Sequence, residues 1–441
     1  MSQPSPRLAI EWLPLEALKP DARNARQHSK QQIRQIARSI EAFAFNVPIL
    51  VDGDGLIVAG HGRLAASKLL GHTEAPVIRL AHLTSSQARA FALADNRLTE
   101  VATWDDKLLG EIFSELSAIE LDFSLDVTGF TMGEIDLKIE GLSSLAESDP
   151  ADDGADEEGP AVAGPGDVWQ LGVHRIRCGS ALEPDSYETL MAGKRAALVF
   201  TDPPYNVPIT GHVSGKGRVK HREFAMATGE MSKAQFTVFL SRSLQLAADH
   251  SADGALHYVC MDWRHAGELL AAAEPIYSDL KNLCVWVKDN GGMGSFYRSR
   301  HELVFVFKTG HGPHRNNVDL GRHGRNRTNV WEYPAPHPFG RAGEEGDLTK
   351  AHPTVKPVAL VADAMLDASA RRDIVLDPFL GSGSTLLAAE RVGRVCYGLE
   401  IDPLYVDLAI RRWQRITGET AIHEQSGRPF GALNGDDSHG R

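Results

Sequence analysis

Ala196-Ala197-Leu198-Val199-Phe200-Thr201-Asp202-Pro203-Pro204-Tyr205-Asn206 is the stretch on which the reading of this chain turns. Its first half is a short, uninterrupted apolar run, the pattern of a strand buried on both faces of a parallel sheet. The run stops where polar residues begin, and in open α/β sheets ligands collect at that carboxyl edge. Pro203 and Pro204 fix two φ angles and carry no N–H, so the Asp202 carboxylate and the Pro203 carbonyl can both point outward as acceptors. Tyr205 adds a flat stacking face, and Asn206 shapes the turn. Together these residues can grip a planar base by its amino group. Taken alone, they also fit an ordinary proline-rich turn.

A second strand-and-turn follows toward the C-terminus. Asp373-Ile-Val-Leu-Asp377 reads as a buried strand, then Pro378-Phe379-Leu380-Gly381-Ser382-Gly383-Ser384-Thr385 leads into a helix through Arg391. Glycines at such a turn let a backbone approach a nucleotide-like ligand closely. The next strand ends at Glu400, about 20 residues on, where a carboxylate can hold ribose hydroxyls. A dinucleotide site is the rival reading, but the turn is Asp-Pro-Phe-x-Gly-x-Gly and lacks the three-glycine spacing. A dehydrogenase also has no use for the Asp202 turn. Further strands are expected at Leu256–Met261, Leu283–Val287, Glu302–Phe307 and Val395–Leu399, alternating with helical patterns. The expected fold is α/β, with a Rossmann-like, mostly parallel sheet covered by helices.

The segment from Glu147 to Gly159 carries seven acidic residues and no basic one, within a chain of 441 residues and net charge -12. It has no hydrophobic periodicity and reads as a solvated linker. The expected organisation is a small α+β domain at 8–142, an acidic linker at 143–165, the large domain at 166–420 and a tail at 421–441. In the small part, a helical stripe runs through Ile33, Ile36, Ile40 and Phe43 behind a Ser29 cap. Pro48–Val51 and Leu56–Ala59 then flank Asp52-Gly53-Asp54-Gly55 as a hairpin. Gly60-His61-Gly62-Arg63 opens the following helix and is a candidate phosphate cradle, since free N–H groups and the helix dipole both favour anions. Short helices over Ala118–Leu142 complete the unit.

Residues 281–330 hold nine Lys/Arg against three Asp/Glu, so the charge is divided by region. Two polar segments are candidate DNA contacts: Gly211–Arg222, with Lys216, Arg218 and Lys220, and Gly310–Asn329, with Arg325 and Arg327. Arginine can read guanine bidentately, whereas lysine mainly holds phosphate. The four cysteines are widely spaced with no CxxC, which suits a reduced compartment. No metal site is expected, His311 and His314 included. The start lacks a signal-peptide pattern and no apolar run approaches about 18 residues, so a cytoplasmic protein without a membrane span is expected.

The order of Asp202-Pro-Pro-Tyr205, His352-Pro-Thr-Val-Lys-Pro357 and Asp377-Pro-Phe-x-Gly-x-Gly383 resembles the β-group of DNA amino-methyltransferases. Residues from about 166 to 418 share this likeness, including the tail "GLEIDPLYVDLAIRRW". Cys178-Gly179-Ser180 departs from it, because relatives commonly carry Asp after the glycine. The resemblance implies S-adenosylmethionine as cofactor. Asp377, Phe379, Gly381 and Gly383 would surround its methionine and adenosine portions and Glu400 would take the ribose. Asp402 would lie near the adenine, with Thr354 and Lys356 at the polar ends. Asp202, Pro203, Pro204 and Tyr205 would be catalytic, acting on the N6 amino group of a base flipped from duplex DNA. N4 of cytosine is the alternative target, disfavoured because relatives acting there more often carry Ser in place of Asp202.

Residues 8–100 resemble the ParB/sulfiredoxin-like domain through "VPILVDGDGLIVAGHGRLAASKLLG" and "ALADNRLTE". ParB proteins bind cytidine triphosphate at a Gly-Glu-Arg-Arg turn. Here His61 stands at the acidic position and Arg63 aligns with the last arginine, so a nucleoside triphosphate at Gly60, His61, Gly62 and Arg63 is implied without hydrolysis. A protein of a different class, an inactive nucleotide-responsive DNA-binding factor, is the second reading. Assembly is left open between monomer and homodimer.

Overall fold

The structure, a computed structural model, describes residues 8–100, 104–119, 121–141, 160–207, 229–288, 297–321, 325–333 and 355–433. The chain separates into two compact units, residues 1–143 and 144–441.

In the small unit, β1 (Ile10–Pro14), β2 (Ile49–Val51), β3 (Ile57–Ala59) and β4 (Glu74–Arg79) form a sheet in the order β1-β4-β2-β3. β2 and β3 make the expected antiparallel hairpin. Asp52 closes its turn, one carboxylate oxygen accepting the N–H groups of Asp54 and Leu56 at 2.9 Å. Helix α1 (Lys30–Phe43) starts where the Ser29 hydroxyl accepts the Gln32 N–H. Helix α2 (His61–Leu69) follows Gly60, whose φ of 106° is a left-handed conformation that favours glycine. Ile49, Val51, Ile57, Leu64 and Val77 form the core beneath it. Helices α3 (Ser85–Glu100), α4 (Asp106–Ala118) and α5 (Met132–Glu140) complete the unit, α5 opening on a Thr131–Glu134 capping box.

The large unit is built on a ten-stranded mixed sheet. Its order is β11 (Val330–Glu332), β9 (Asp279–Val287), β10 (His301–Lys308), β8 (Ser251–Met261), β7 (Ala196–Thr201), β12 (Ile374–Asp377), β13 (Val395–Glu400), β6 (His174–Cys178), β5 (Val168–Leu171) and β14 (Ile422–His423). The middle, β8-β7-β12-β13-β6, is parallel, and antiparallel pairs flank it on both sides. The sheet is therefore less uniformly parallel than its apolar runs suggest, because two buried strands read alike in either direction. β12 lies between β7 and β13, with Leu376 level with Val199 on one side and Tyr397 on the other. Asp202, Asp377 and Glu400 thus follow or end three neighbouring strands on one edge, at the point where the chain order reverses.

Two expected boundaries are corrected. Residues 421–433 do not form a loose tail: β14 pairs with β5, and Phe430 is 2% exposed with its ring 5.3 Å from that of Trp169. Burying a phenylalanine contributes about 2 kcal/mol, enough to hold a short segment that lacks periodicity of its own. The end of the linker is also fastened, since the N–H groups of Val162 and Ala163 donate to the Asp407 carboxylate at 2.8 and 2.9 Å.

Candidate active site

One cleft at the carboxyl edge of the parallel strands is lined by both halves of the sequence-expected site. Asp202, Pro203, Pro204 and Tyr205 contribute from one side, and Asp377, Phe379, Gly381, Glu400 and Asp402 from the other. Asn206 supports the first turn at a left-handed φ of 54°. Its side-chain oxygen accepts the N–H groups of Gly229 and Met231, and its amide donates to the Met231 carbonyl.

Each carboxylate in the cleft is held differently. Asp202 accepts the Tyr205 hydroxyl at 2.5 Å on one oxygen and the Lys356 ammonium at 2.5 Å on the other. Lys356 also reaches Glu302 at 2.9 Å, and Glu302 pairs through its second oxygen with Lys288. Burial raises Asp202 above the usual carboxylate range against the pull of Lys356. Burial would raise Glu302 too, but Lys356 and Lys288 outweigh it and bring the group down to about 2. Burial would lower Lys356; Asp202 and Glu302 overcome that, and the ammonium stays charged.

Across the cleft, the Glu400 oxygens accept the N–H groups of Gly381 and Asp402, each at 2.8 Å. Asp377 accepts the Thr385 hydroxyl at 2.6 Å and the Phe379 N–H at 3.0 Å. Among the described residues no cation pairs with either group, and burial pushes both up to about 7. The Ser384 hydroxyl, buried at the same wall, has no hydrogen-bond partner among the described residues. Gly383, at a φ of 88°, begins the helix Ser384–Val392, and a Cβ there would come within 2.9 Å of Ala409. A glycine there permits close packing of the helices. Asp402 caps the helix Pro403–Thr417 by accepting the Leu404 N–H.

Two placements correct the sequence reading. Lys356 belongs to the Asp202 side of the cleft, its ammonium directed at Asp202, Glu302 and the Tyr205 hydroxyl. Arg325 and Arg327 are not presented to DNA: both pair with Asp363 and Asp367, and Arg325 is 6% exposed. Their partners lie about 40 residues downstream on the helix Val358–Ala368, so a local charge count could not find them. In the small unit, His61 accepts the Asp21 N–H through Nε2, and burial lowers its pKa. It lines a cavity of about 610 Å³ with Gly60, Gly62 and Arg63. Arg63 Nε is buried there without a hydrogen-bond partner among the described residues. Thr354, Lys216, Arg218 and Lys220 lie outside the described residues.

Glu302 and Lys288 escaped the sequence reading. The one available signal was a carboxylate at the head of an otherwise apolar strand. Its meaning depends on the antiparallel β9–β10 pairing, which sets Glu302 beside Trp286 and brings Lys288 back onto it.

Sheet and cleft together make an α/β fold with a ligand-sized cleft at the carboxyl edge of its parallel strands. Residues 196–411 match the DNA methylase family, and residues 2–97 match the ParB N-terminal domain. The chain therefore carries an N6/N4 DNA methylase domain and, ahead of it, a ParB N-terminal domain. The ParB-like nuclease domain-containing protein YnaK of Escherichia coli K12 is 45% identical over 83 residues, covering 19% of this chain and 95% of that protein. The type II methyltransferase M2.MboI of Moraxella bovis is 26% identical over 234 residues, covering 50% of this chain and 81% of its own. The solved structure of TTHA0409 from Thermus thermophilus, complexed with S-adenosyl-L-methionine, is 22% identical, covering 57% of this chain and 97% of its own, with a TM-score of 0.39. Among the described residues no helix is long and apolar enough to cross a membrane.

Proposed function

We propose that the large unit methylates the exocyclic N6 amino group of adenine in double-stranded DNA, using S-adenosylmethionine and a flipped base. The observation that carries this reading is the meeting of the Asp202 turn with the Asp377 and Glu400 carboxylates in one cleft. The residues present fit the cofactor. Two buried carboxylates with no cation among the described residues suit a positively charged sulfonium ligand, and the Ser384 hydroxyl, without a partner among the same residues, lines the same cleft. When bound, that ligand supplies a methyl group already activated toward nucleophiles.

An exocyclic amino nitrogen is a weak nucleophile because its lone pair is delocalised into the ring. The Asp202 carboxylate retains lone pairs beyond those used by Tyr205 and Lys356, and the Pro203 carbonyl is a second acceptor. Each takes one N–H, which draws the nitrogen toward tetrahedral geometry. Charge on Asp202 then stabilises the cation forming at nitrogen more than it stabilises the neutral ground state. The Tyr205 ring offers the flipped base a stacking surface.

The test is transfer of labelled methyl from S-adenosylmethionine to unmethylated duplex DNA, followed by digestion to nucleosides. Label in N6-methyldeoxyadenosine supports the reading, label in N4-methyldeoxycytidine moves the target to cytosine, and no label on any DNA overturns it. For the small unit, the cavity and the Arg63 Nε, which has no hydrogen-bond partner among the described residues, support a nucleoside triphosphate site. Calorimetric titration of the full chain with cytidine triphosphate, repeated on Arg63→Ala, tests this; equal heats from both proteins overturn it. A homodimer is the assembly to be sought by light scattering.

A further inference from the structure

Glu302 is assigned no role by the comparisons or by any motif, yet it touches every side chain that holds Asp202. One of its oxygens accepts the Lys356 ammonium at 2.9 Å and lies 3.2 Å from the Tyr205 hydroxyl; the other pairs with Lys288. Both Glu302 and Lys356 are nearly withdrawn from solvent, with side chains 12% and 5% exposed. A buried carboxylate in such a place needs a reason, since burying charge is costly unless it is paired.

We propose that Glu302 is a positioning residue for methyl transfer: it shares the Lys356 ammonium with Asp202 and so keeps the Asp202 carboxylate negative toward the target amino group. The inference rests on the methyltransferase reading of the same cleft. Lysine is a point charge on a flexible four-carbon stem. Without a second anchor, Lys356 would centre on Asp202 and form a closed neutral pair, quenching the charge that the developing aminium needs. With Glu302 in place, the ammonium is drawn to a position between two carboxylates. Lys288 in turn balances Glu302. Among the described residues, Asp202, Glu302, Lys356 and Lys288 sum to zero charge. Removing Glu302 alone leaves this cluster at +1, facing a nitrogen that is itself becoming positive, in a poorly screened site.

The experiment compares wild type, Glu302→Gln, Glu302→Asp and the double variant Glu302→Gln/Lys288→Met in single-turnover methylation and cofactor titration. Glu302→Gln is expected to slow the transfer step about tenfold to a hundredfold while cofactor affinity stays within about twofold. Glu302→Asp recovers part of the loss. The decisive sign is in the double variant: restoring neutrality makes it faster than Glu302→Gln, whereas a merely structural role makes the second substitution additive or worse. A transfer rate in Glu302→Gln within about twofold of wild type, or a double variant slower than the single, overturns the proposal. A second readout does not need activity. The 15N-lysine spectrum should contain a protected Lys356 ammonium signal, assigned by its loss in Lys356→Met, that shifts or broadens in Glu302→Gln. An unchanged signal means Glu302 does not position Lys356. If wild type methylates no DNA, the methyltransferase reading fails by itself, and the spectrum still decides the placement.

Discussion

The two walls of the cleft handle buried carboxylates in opposite ways. On one wall, Asp202 and Glu302 are neutralised from within, by Lys356 and Lys288. On the other, Asp377 and Glu400 are met by backbone N–H groups and a threonine hydroxyl, with no cation among the described residues. On the proposed function, the first wall is complete as folded, and the second is the one a cationic ligand would complete.

The largest effect that would break the comparison is at Asp202. Asp202→Ala should abolish transfer by roughly a thousandfold or more, because it removes the acceptor for the amino group. Cofactor affinity, measured by calorimetry, should change little. A comparable loss of cofactor binding would mean that the walls are not separable.

Arg325→Ala comes next. Loss of this buried guanidinium leaves Arg327 as the one cation paired with Asp367 and Asp363 among the described residues, and should lower the urea-unfolding free energy by about 3 kcal/mol. If instead stability is retained and DNA affinity drops, the arginines serve DNA after all.

Glu400→Gln should weaken S-adenosylmethionine by about tenfold or somewhat more, with the transfer rate at saturation nearly kept. Unchanged affinity would remove Glu400 from the cofactor wall.

The smallest effect is in pH. With Asp377 and Glu400 both raised to about 7, a cationic ligand favours their ionised forms, so cofactor affinity should fall as pH drops below 7. The limit is about tenfold per pH unit for each group. Stability of the unliganded protein has the opposite sign. Between the ordinary carboxylate values of 3.8 and 4.5 and about 7, the native state holds protons that the unfolded chain has lost. The contribution of these two groups therefore worsens as pH rises through that window. Affinity flat from pH 5 to 8 would show that neither group gains charge on binding.

Much of the molecule was legible in the chain because its signals are local. The apolar run before Asp202, the Ser29 cap, the Asp52 hairpin and the glycine turn after Asp377 each follow from short-range sterics and periodicity, which a sequence carries directly. Asp202, Asp377 and Glu400 could be named because each stands at the end of a recognisable buried strand. Only the tertiary structure decided what long-range pairing controls. Arg325 and Arg327 looked like DNA contacts until the Val358–Ala368 helix supplied their carboxylates, and Lys356 looked like a cofactor ligand until the fold set it between Asp202 and Glu302. Residues 421–433 looked like a tail until β5 and Trp169 gave them a surface. A charge or an apolar side chain has no intrinsic destination, because its energy depends on the partner that the fold brings to it.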